Sequence, residues 1–401
     1  MRTTSRRTAF LTAALTAALA LWTSGAPSVV YPVYGREWDV PPATTTLVFA
    51  VYPLALLVVL GLFGGLSDRI GRRAAIVLGL SLMAVGTVAF TLAPGVPVLL
   101  LGRVLTGAGA GFALSPATAA LAEYAAPGRQ HLAGAAATAS TAFGLTFALV
   151  LGGVFVAFVP DPLHASFWPL LAGILLTLVL ALRLPAGRQG TGPRLRLLRV
   201  HRSMTGIVAQ GALGVAAAYG VGGVVLSLGA DVAVGLLGTA DPFVIGLVLA
   251  LSAATIGGTA LLARGVRASR GAPAGAVAML AGLGLLVAAA ANGSLPVFLL
   301  AIVVSGVGYS LLFSAGVGIA AELAPPEHRA ATVSAVYFVG YAVQGVSAIL
   351  IGRIATDDGL LTGIVVAAIA LGALTVVAGA APFVRAGRPG RAAPTETGEP
   401  A

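Results

Sequence analysis

The sequence predicts an all-α integral membrane protein of about twelve transmembrane helices, arranged as two pseudo-symmetric six-helix bundles. Three observations predict it: a composition too apolar for a water-covered surface, apolar stretches of spanning length, and arginines gathered on one side of those stretches.

Hydrophobic residues make up 58% of the 401 positions and charged residues only 9%. The mean hydropathy is +1.00. A soluble domain carries about a quarter charged residues to keep its surface wet, so lipid must cover most of this one. The 54 glycines agree, because apolar helices in lipid associate by close packing, which small residues permit. Cysteine is absent, which excludes disulfides and thiolate metal sites. The net charge of +10 raises the question of nucleic acid. No basic patch is interleaved with the aromatic residues that would stack bases, so the bilayer, not nucleic acid, is the expected partner.

A spanning helix needs roughly 20 apolar residues, since a ~30 Å hydrocarbon core is crossed at ~1.5 Å per residue. In order, the first half offers 8–32, 44–66, 74–93, 96–122, 131–158 and 165–184. The second offers 204–228, 241–263, 273–291, 295–321, 330–352 and 359–384. Pro32 and Gly306 interrupt the first and tenth. The expected organisation is an N-terminal bundle over 1–184, a cytoplasmic linker over 185–203, a C-terminal bundle over 204–384 and a disordered cytoplasmic tail over 385–401.

All 23 basic residues are arginine, and 20 of them fall in loops or ends on one side of this scheme. Arg36 and Arg353 fall on the other side, and Arg103 lies within a span. The opposite loops hold acids: Glu37, Asp39, Asp161, Asp231, Asp241, Asp357 and Asp358. The positive-inside rule then puts both termini in the cytoplasm of a multi-pass cell-membrane protein. Arg6-Arg7, an apolar run and Ser24-Gly25-Ala26 have the form of a cleavable signal. The apolar stretch continues through Val29, Val30 and Val33, which favours an uncleaved first helix. The polar linker holds Arg188, Arg194, Arg196, Arg199 and Arg202. It serves as a plain connection or as a contact for anionic headgroups.

The halves echo each other. Ala122-Glu123-Tyr124-Ala125-Ala126-Pro127 ends the fourth span and Ala321-Glu322-Leu323-Ala324-Pro325-Pro326 ends the tenth, 199 residues later. Such duplication is typical of secondary transporters, with a substrate site between the halves near the midplane.

Between the second and third spans stands Gly64-Gly65-Leu66-Ser67-Asp68-Arg69-Ile70-Gly71-Arg72-Arg73. Here the chain resembles the major facilitator superfamily, whose signature in this loop has all its fixed positions present. The resemblance implies that Gly64, Asp68, Arg69, Gly71, Arg72 and Arg73 form a latch between the halves on the cytoplasmic side. Physically, the glycines allow close packing and a tight turn. A carboxylate at Asp68 suits the positive N-terminus of the eleventh helix, around Ala330 to Thr332. The arginines also serve simply to set topology. The matching loop of the second half, Ala263-Arg264-Gly265-Val266-Arg267, lacks the aspartate.

Arg103 costs roughly 2.5–3.5 kcal/mol at mid-helix even on permissive scales. It must face the bundle interior or a watery cavity, or else snorkel to the interface. The stretch Leu101 to Gly111 resembles the fourth-helix motif of the superfamily's drug–proton antiporters. That resemblance implies proton or substrate coupling at Arg103, with Thr106 standing where the motif has glutamine. Gly107, Gly109 and Gly111 follow no strand and read as close packing, not as a dinucleotide loop. In the fifth span Gly144, Gly152 and Gly153 fit the antiporter glycine motif, but Ala148-Leu149 replaces its glycine-proline pair. No acid is predicted at mid-membrane; Glu123, Glu322 and Asp231 lie near span ends.

The candidate cavity lining is uncharged: Trp22, Tyr52, Gln210, Tyr219, Tyr309, Tyr337, Tyr341 and Gln344. Tyr337, Tyr341 and Gln344 share one helical face, as packing or as substrate contact. Such a cavity suits an amphipathic or cationic organic molecule. The expected function is secondary active transport by alternating access, exporting a small, partly apolar compound in exchange for protons. Uptake of a sugar or other metabolite, or a non-transporting sensor with the same fold, are the alternatives. With four histidines, no cysteine and no clustered carboxylates, nothing has nucleophile–base or metal-ligand spacing. No enzymatic activity, cofactor or metal is expected. The partners are a small-molecule substrate, the bilayer and protons, and the chain is expected to be a monomer.

Overall fold

Proline and apolar length together set the helices. A computed structural model of the protein describes residues 5–63, 69–126, 133–185, 201–236, 238 and 241–386. In chain order these form α1 (Arg6–Gly25), α2 (Tyr31–Glu37), α3 (Pro42–Phe63), α4 (Arg72–Thr91), α5 (Val96–Tyr124), α6 (Ala133–Phe158) and α7 (Pro162–Ala165). There follow α8 (Trp168–Ala181), α9 (Thr205–Gly235), α10 (Pro242–Leu262), α11 (Ala268–Asn292), α12 (Leu295–Leu323), α13 (Pro326–Asp357) and α14 (Leu360–Ala386). No strand occurs among the described residues. Among the described residues, twelve helices are long and apolar enough to cross a membrane. Several open with proline in the first turn, where its missing N–H is no loss and its fixed φ is already helical. Asp241 also caps α10, its carboxylate accepting from Phe243 N at 2.8 Å. Large apolar side chains stay exposed, Leu262, Phe158 and Ile369 among them, as a lipid-facing surface requires.

Three boundaries differ from the sequence expectation. The first span does not run to residue 32: α1 stops at Gly25, the chain turns through Ala26–Val30, and α2 starts at Tyr31. Pro27 is the cause, since it has no N–H to continue the ladder. Gly306 does not interrupt α12, whose helix passes straight through it while the glycine packs on Thr255 of α10. The seventh span runs on to Gly235, which takes Asp231 out of the expected loop and into α9. Residues 186–200 and 387–401, most of the expected linker and tail, lie outside the described residues.

The repeat is visible as packing. A β-carbon on Gly79 of α4 would stand 2.5 Å from Gly109 O, and one on Gly109 would meet Met83. In the second half Gly275, Met279 and Gly308 make the same arrangement between α11 and α12. Gly86 meets Thr106, and Gly282 meets Ser305. Each matched pair is 196 residues apart on α4 and α11, and 199 apart on α5 and α12. Gly107 and Gly111 pack on α3, so the glycine run is helix packing, as its setting implied.

The halves meet along two seams, α3 with α13 and α6 with α10. On the first, Thr46 lies at Gly352, Leu54 at Gly345 and Phe338 at Gly61. On the second, Gly153 faces Gly246 and Ala142 faces Gly257. The end holding the α1–α2 elbow is shut: α2 packs on α9, and Ala43 N donates to Thr356 Oγ1 at 2.8 Å across the seam.

Candidate functional site

The site begins with Pro27. In a continuing helix its N–H would bond Thr23 O; the proline leaves that carbonyl free. Ser28 N turns back to Gly25 O, which leaves Ser24 O free as well. Arg103, reaching over from α5, takes both: Nη1 donates to Thr23 O at 3.0 Å and to Ser24 O at 3.2 Å. Its Nη2 donates to the Tyr31 hydroxyl at 2.6 Å. The guanidinium therefore caps the C-terminus of α1, the negative end of its dipole, a placement worth up to ~2 kcal/mol when partly buried. Tyr52 and Phe90 present their rings to it, with centroids 5.5 and 5.7 Å from Cζ. Tyr52 is held in turn by its hydroxyl, which donates to Ala20 O at 2.6 Å.

Arg103 is 0% exposed. It faces the bundle interior and does not snorkel. Burying a cation costs several kcal/mol unless its donors are satisfied, and three acceptors plus two ring faces supply that here. Thr106, by contrast, bonds Gly102 O of its own helix at 2.8 Å.

Several buried polar atoms of the elbow, of Arg103 and of α9 have no hydrogen-bond partner within the protein. They are Ser28 Oγ, the Tyr34 hydroxyl, Arg103 Nε, Ser227 Oγ and Asp231 Oδ2. Ser28 and Tyr34 belong to the elbow; Ser227 and Asp231 are one turn apart on α9 and share a face. Asp231 lies within electrostatic reach of the Tyr31 hydroxyl. An unsatisfied buried polar group costs about 1–3 kcal/mol, so these five atoms call for a functional explanation.

The predicted aromatic residues come together on the C-terminal side of the centre. Tyr219 of α9 stacks with Phe313 at 5.6 Å and with Tyr309 at 6.1 Å, and meets Tyr341 at 4.8 Å. Tyr337 joins through Phe313 at 5.8 Å. Tyr341 also packs on a first-half cluster of Ala20, Tyr52, Leu56 and Ala110, so it touches both halves. Gln344 is buried against Gly223. Gln210 is half-buried nearer the start of α9. Trp22 is elsewhere: its ring stands edge-on to Phe147 at 4.8 Å and beside Gly173, between α1, α6 and α8.

At the opposite end, Gly64 and Asp68 of the loop motif lie outside the described residues. Gly71 has φ 85°, which explains the glycine there. Arg72 forms an ion pair with Glu123 at the end of α5, within its own half. Arg6 ties α1 to the same place, Nη2 donating to Glu123 O at 3.2 Å and Nε to Tyr124 O at 3.4 Å. Arg69 and Arg73 are half-buried.

Sequence reasoning missed Pro27, Tyr31 and the place of Asp231 within α9 with one oxygen sealed. A signal existed for the first: a proline one turn past an apolar helix frees a carbonyl that needs a donor.

Residues 13–236, more than half of the chain, match the family model described as Major Facilitator Superfamily. Over 108 residues the chain is 40% identical to the inner membrane transport protein YajR of Escherichia coli (strain K12). That stretch is 26% of this chain and 22% of the relative, so the chain matches about a fifth of that protein's length. Among solved structures, a bacterial homolog to the human lysosomal transporter Spinster, in an inward-facing and occupied conformation, superposes with a TM-score of 0.74. Its identity is 16%, over 96% of this chain and 98% of that one. A POT family transporter in complex with a thioalcohol conjugated peptide gives 0.74 at 15% identity, over 94% of this chain and 96% of that one.

Proposed function

This chain belongs to the major facilitator superfamily, and from that premise we propose that it exports a small amphipathic organic compound in exchange for protons. It is a secondary transporter, not an enzyme, and a multi-pass membrane protein. The observation that carries the finer reading is the aromatic cluster at the junction of the halves. Tyr219, Tyr309, Phe313, Tyr337 and Tyr341 offer ring faces and hydroxyls but no charge, a lining suited to a flat or cationic organic molecule. Tyr341, touching both halves, would feel any movement between them.

Arginine placement puts the elbow end outside and both termini in the cytoplasm of the cell membrane. On that orientation the structure is closed to the outside. The loop cluster from Gly64 to Arg73 acts as the cytoplasmic latch, with Asp68 its acid and Arg72 paired with Glu123. Alternating access then consists of the two halves rocking along the α3–α13 and α6–α10 seams.

Proteoliposomes loaded with a fluorescent organic cation test this reading. An inward-directed proton gradient should accelerate dye efflux, and Tyr341→Leu should slow it. Dye movement equal to that of empty liposomes, with or without the gradient, would overturn it. Asp68→Asn should shift the conformational equilibrium, and an unchanged equilibrium would remove the latch.

A further inference from the structure

The elbow end holds an acid that the family motifs do not use. Asp231 is half-buried on α9, with Oδ2 sealed from solvent and no hydrogen-bond donor on that oxygen. Two other unpartnered oxygens, Ser227 Oγ and Ser28 Oγ, lie on the same junction, both on fully or nearly fully buried residues. Across it stands Tyr31, whose hydroxyl already accepts from Arg103 Nη2 at 2.6 Å. That hydroxyl lies within electrostatic reach of Asp231, and no hydrogen bond joins it to Oδ2. The whole group exists only because the halves are closed: α2 belongs to one and α9 to the other.

We propose that Asp231 is a proton-exchange site that takes up one proton from solution as this end closes. The physical reason is the sealed oxygen. A carboxylate with one oxygen sealed and no donor on it is disfavoured relative to the neutral acid. With the end open, Asp231 is bathed in solution and ionised. Closing requires carboxylate and proton to combine as the carboxylic acid, and the site loses one negative charge. Reopening returns the proton to solution. The ionised site therefore resists closing, and because the proton comes from and returns to the same side, Asp231 gates this end without itself carrying a proton across. Arg103 and Tyr31 act as positioning residues that hold the elbow and its hydroxyl in place.

The other titratable groups on the elements around α9 do not supply this. Tyr34 sits beside Tyr31 on α2, and Tyr52 of α3 lies under the guanidinium. Arg36 and Glu37 at the end of α2 and Asp241 at the start of α10 are exposed. On α13, Arg353 is exposed and pairs with Asp357 at 2.8 Å. Tyr309 of α12 and Tyr337 and Tyr341 of α13 belong to the central aromatic cluster.

The inference rests on the transport reading, but its test needs no substrate. The native chain has no cysteine, so Glu37→Cys with Asp358→Cys places one spin label on each half at this end. Pulsed electron resonance in nanodiscs then reports the closed fraction from about pH 5 to about pH 9. The closed-to-open ratio should rise as pH falls, with a slope of up to about tenfold per pH unit for one proton. Asp231→Asn should be largely closed and insensitive to pH, and Asp231→Glu should keep the dependence with a moved midpoint. A pH response that persists unchanged in Asp231→Asn would overturn the proposal, as would a native protein with none. If the Asn variant does not fold, an unmoved midpoint in Asp231→Glu overturns it equally. Loss of dye flux with the titration intact would instead count against the transport reading.

Discussion

Gly246→Ala should prop the elbow end open. A β-carbon at this position would stand 2.7 Å from Gly153 Cα and 2.7 Å from Leu149 O, both backbone atoms of α6. Ordinary contact starts near 3.4 Å, so α6 and α10 must part by about 0.7 Å where they now touch. No rotamer change can relieve this, because the obstacle is main chain. Overpacking of this kind costs about 1–3 kcal/mol. Alanine also returns about 0.5–1 kcal/mol as the better helix former, but that gain applies equally with the seam open or closed. The clash applies only when it is closed. The closed fraction should therefore fall about 5- to 150-fold relative to the open one. The label pair at 37 and 358 measures it, with Gly258→Ala as the control on the same helix, where nothing lies within 4 Å. If Gly246→Ala and Gly258→Ala show the same closed fraction, the seam does not close as described.

Thr356→Val removes the acceptor for Ala43 N across the other seam and should cost about 1 kcal/mol of closure, roughly a fivefold shift in the same distance measurement. Tyr341→Phe should keep most affinity for an organic cation, while Tyr341→Leu should lose about 2- to 30-fold, the worth of one cation–π contact; dye binding by fluorescence distinguishes them. Gly144→Ala would drive a methyl into Ala18 O of α1 and should lower the melting temperature in detergent, whereas Gly284→Ala, with open space around it, should leave it unchanged or raise it. Arg103→Ile and Pro27→Val should each destabilise, but the double variant should recover about 0.5–3 kcal/mol of the summed loss; strict additivity in thermal unfolding would refute the capping role.

The spans were legible because the bilayer imposes one length on every helix, and arginine placement follows from the same cause. The repeat was legible at Glu123 and Glu322, and the packing pairs Met83 and Met279 extend it. What the sequence hid was local. Val29, Val30 and Val33 are as apolar as a helix interior, so hydropathy ran the first span across a break that one proline makes. Hydropathy likewise stops short of Asp231, yet the helix continues through it, because a charge near a span end can be buried by the opposite half. The burial of Arg103 was legible from cost alone; its partners were not, since free carbonyls leave no mark on composition.

Those two hidden features belong together. Gly25 packs on Leu145 in the first half and Gly223 on Gln344 in the second, which aligns the first and seventh spans at a separation of 198. Pro27 then corresponds to Val225, which keeps its N–H inside the unbroken α9. The partner of Arg103, 199 residues on, is Ile302, 1% exposed in an apolar core. Where the helix breaks and frees carbonyls, the chain carries a cation to cap them; where it runs on, the same place is filled by a hydrocarbon. Each substitution would be costly without the other: an uncapped break buries bare acceptors, and an arginine facing a closed ladder buries bare donors. The duplicated halves have thus diverged by a matched pair of changes. The broken half supplies the rigid elbow, and the unbroken half brings Asp231 against it.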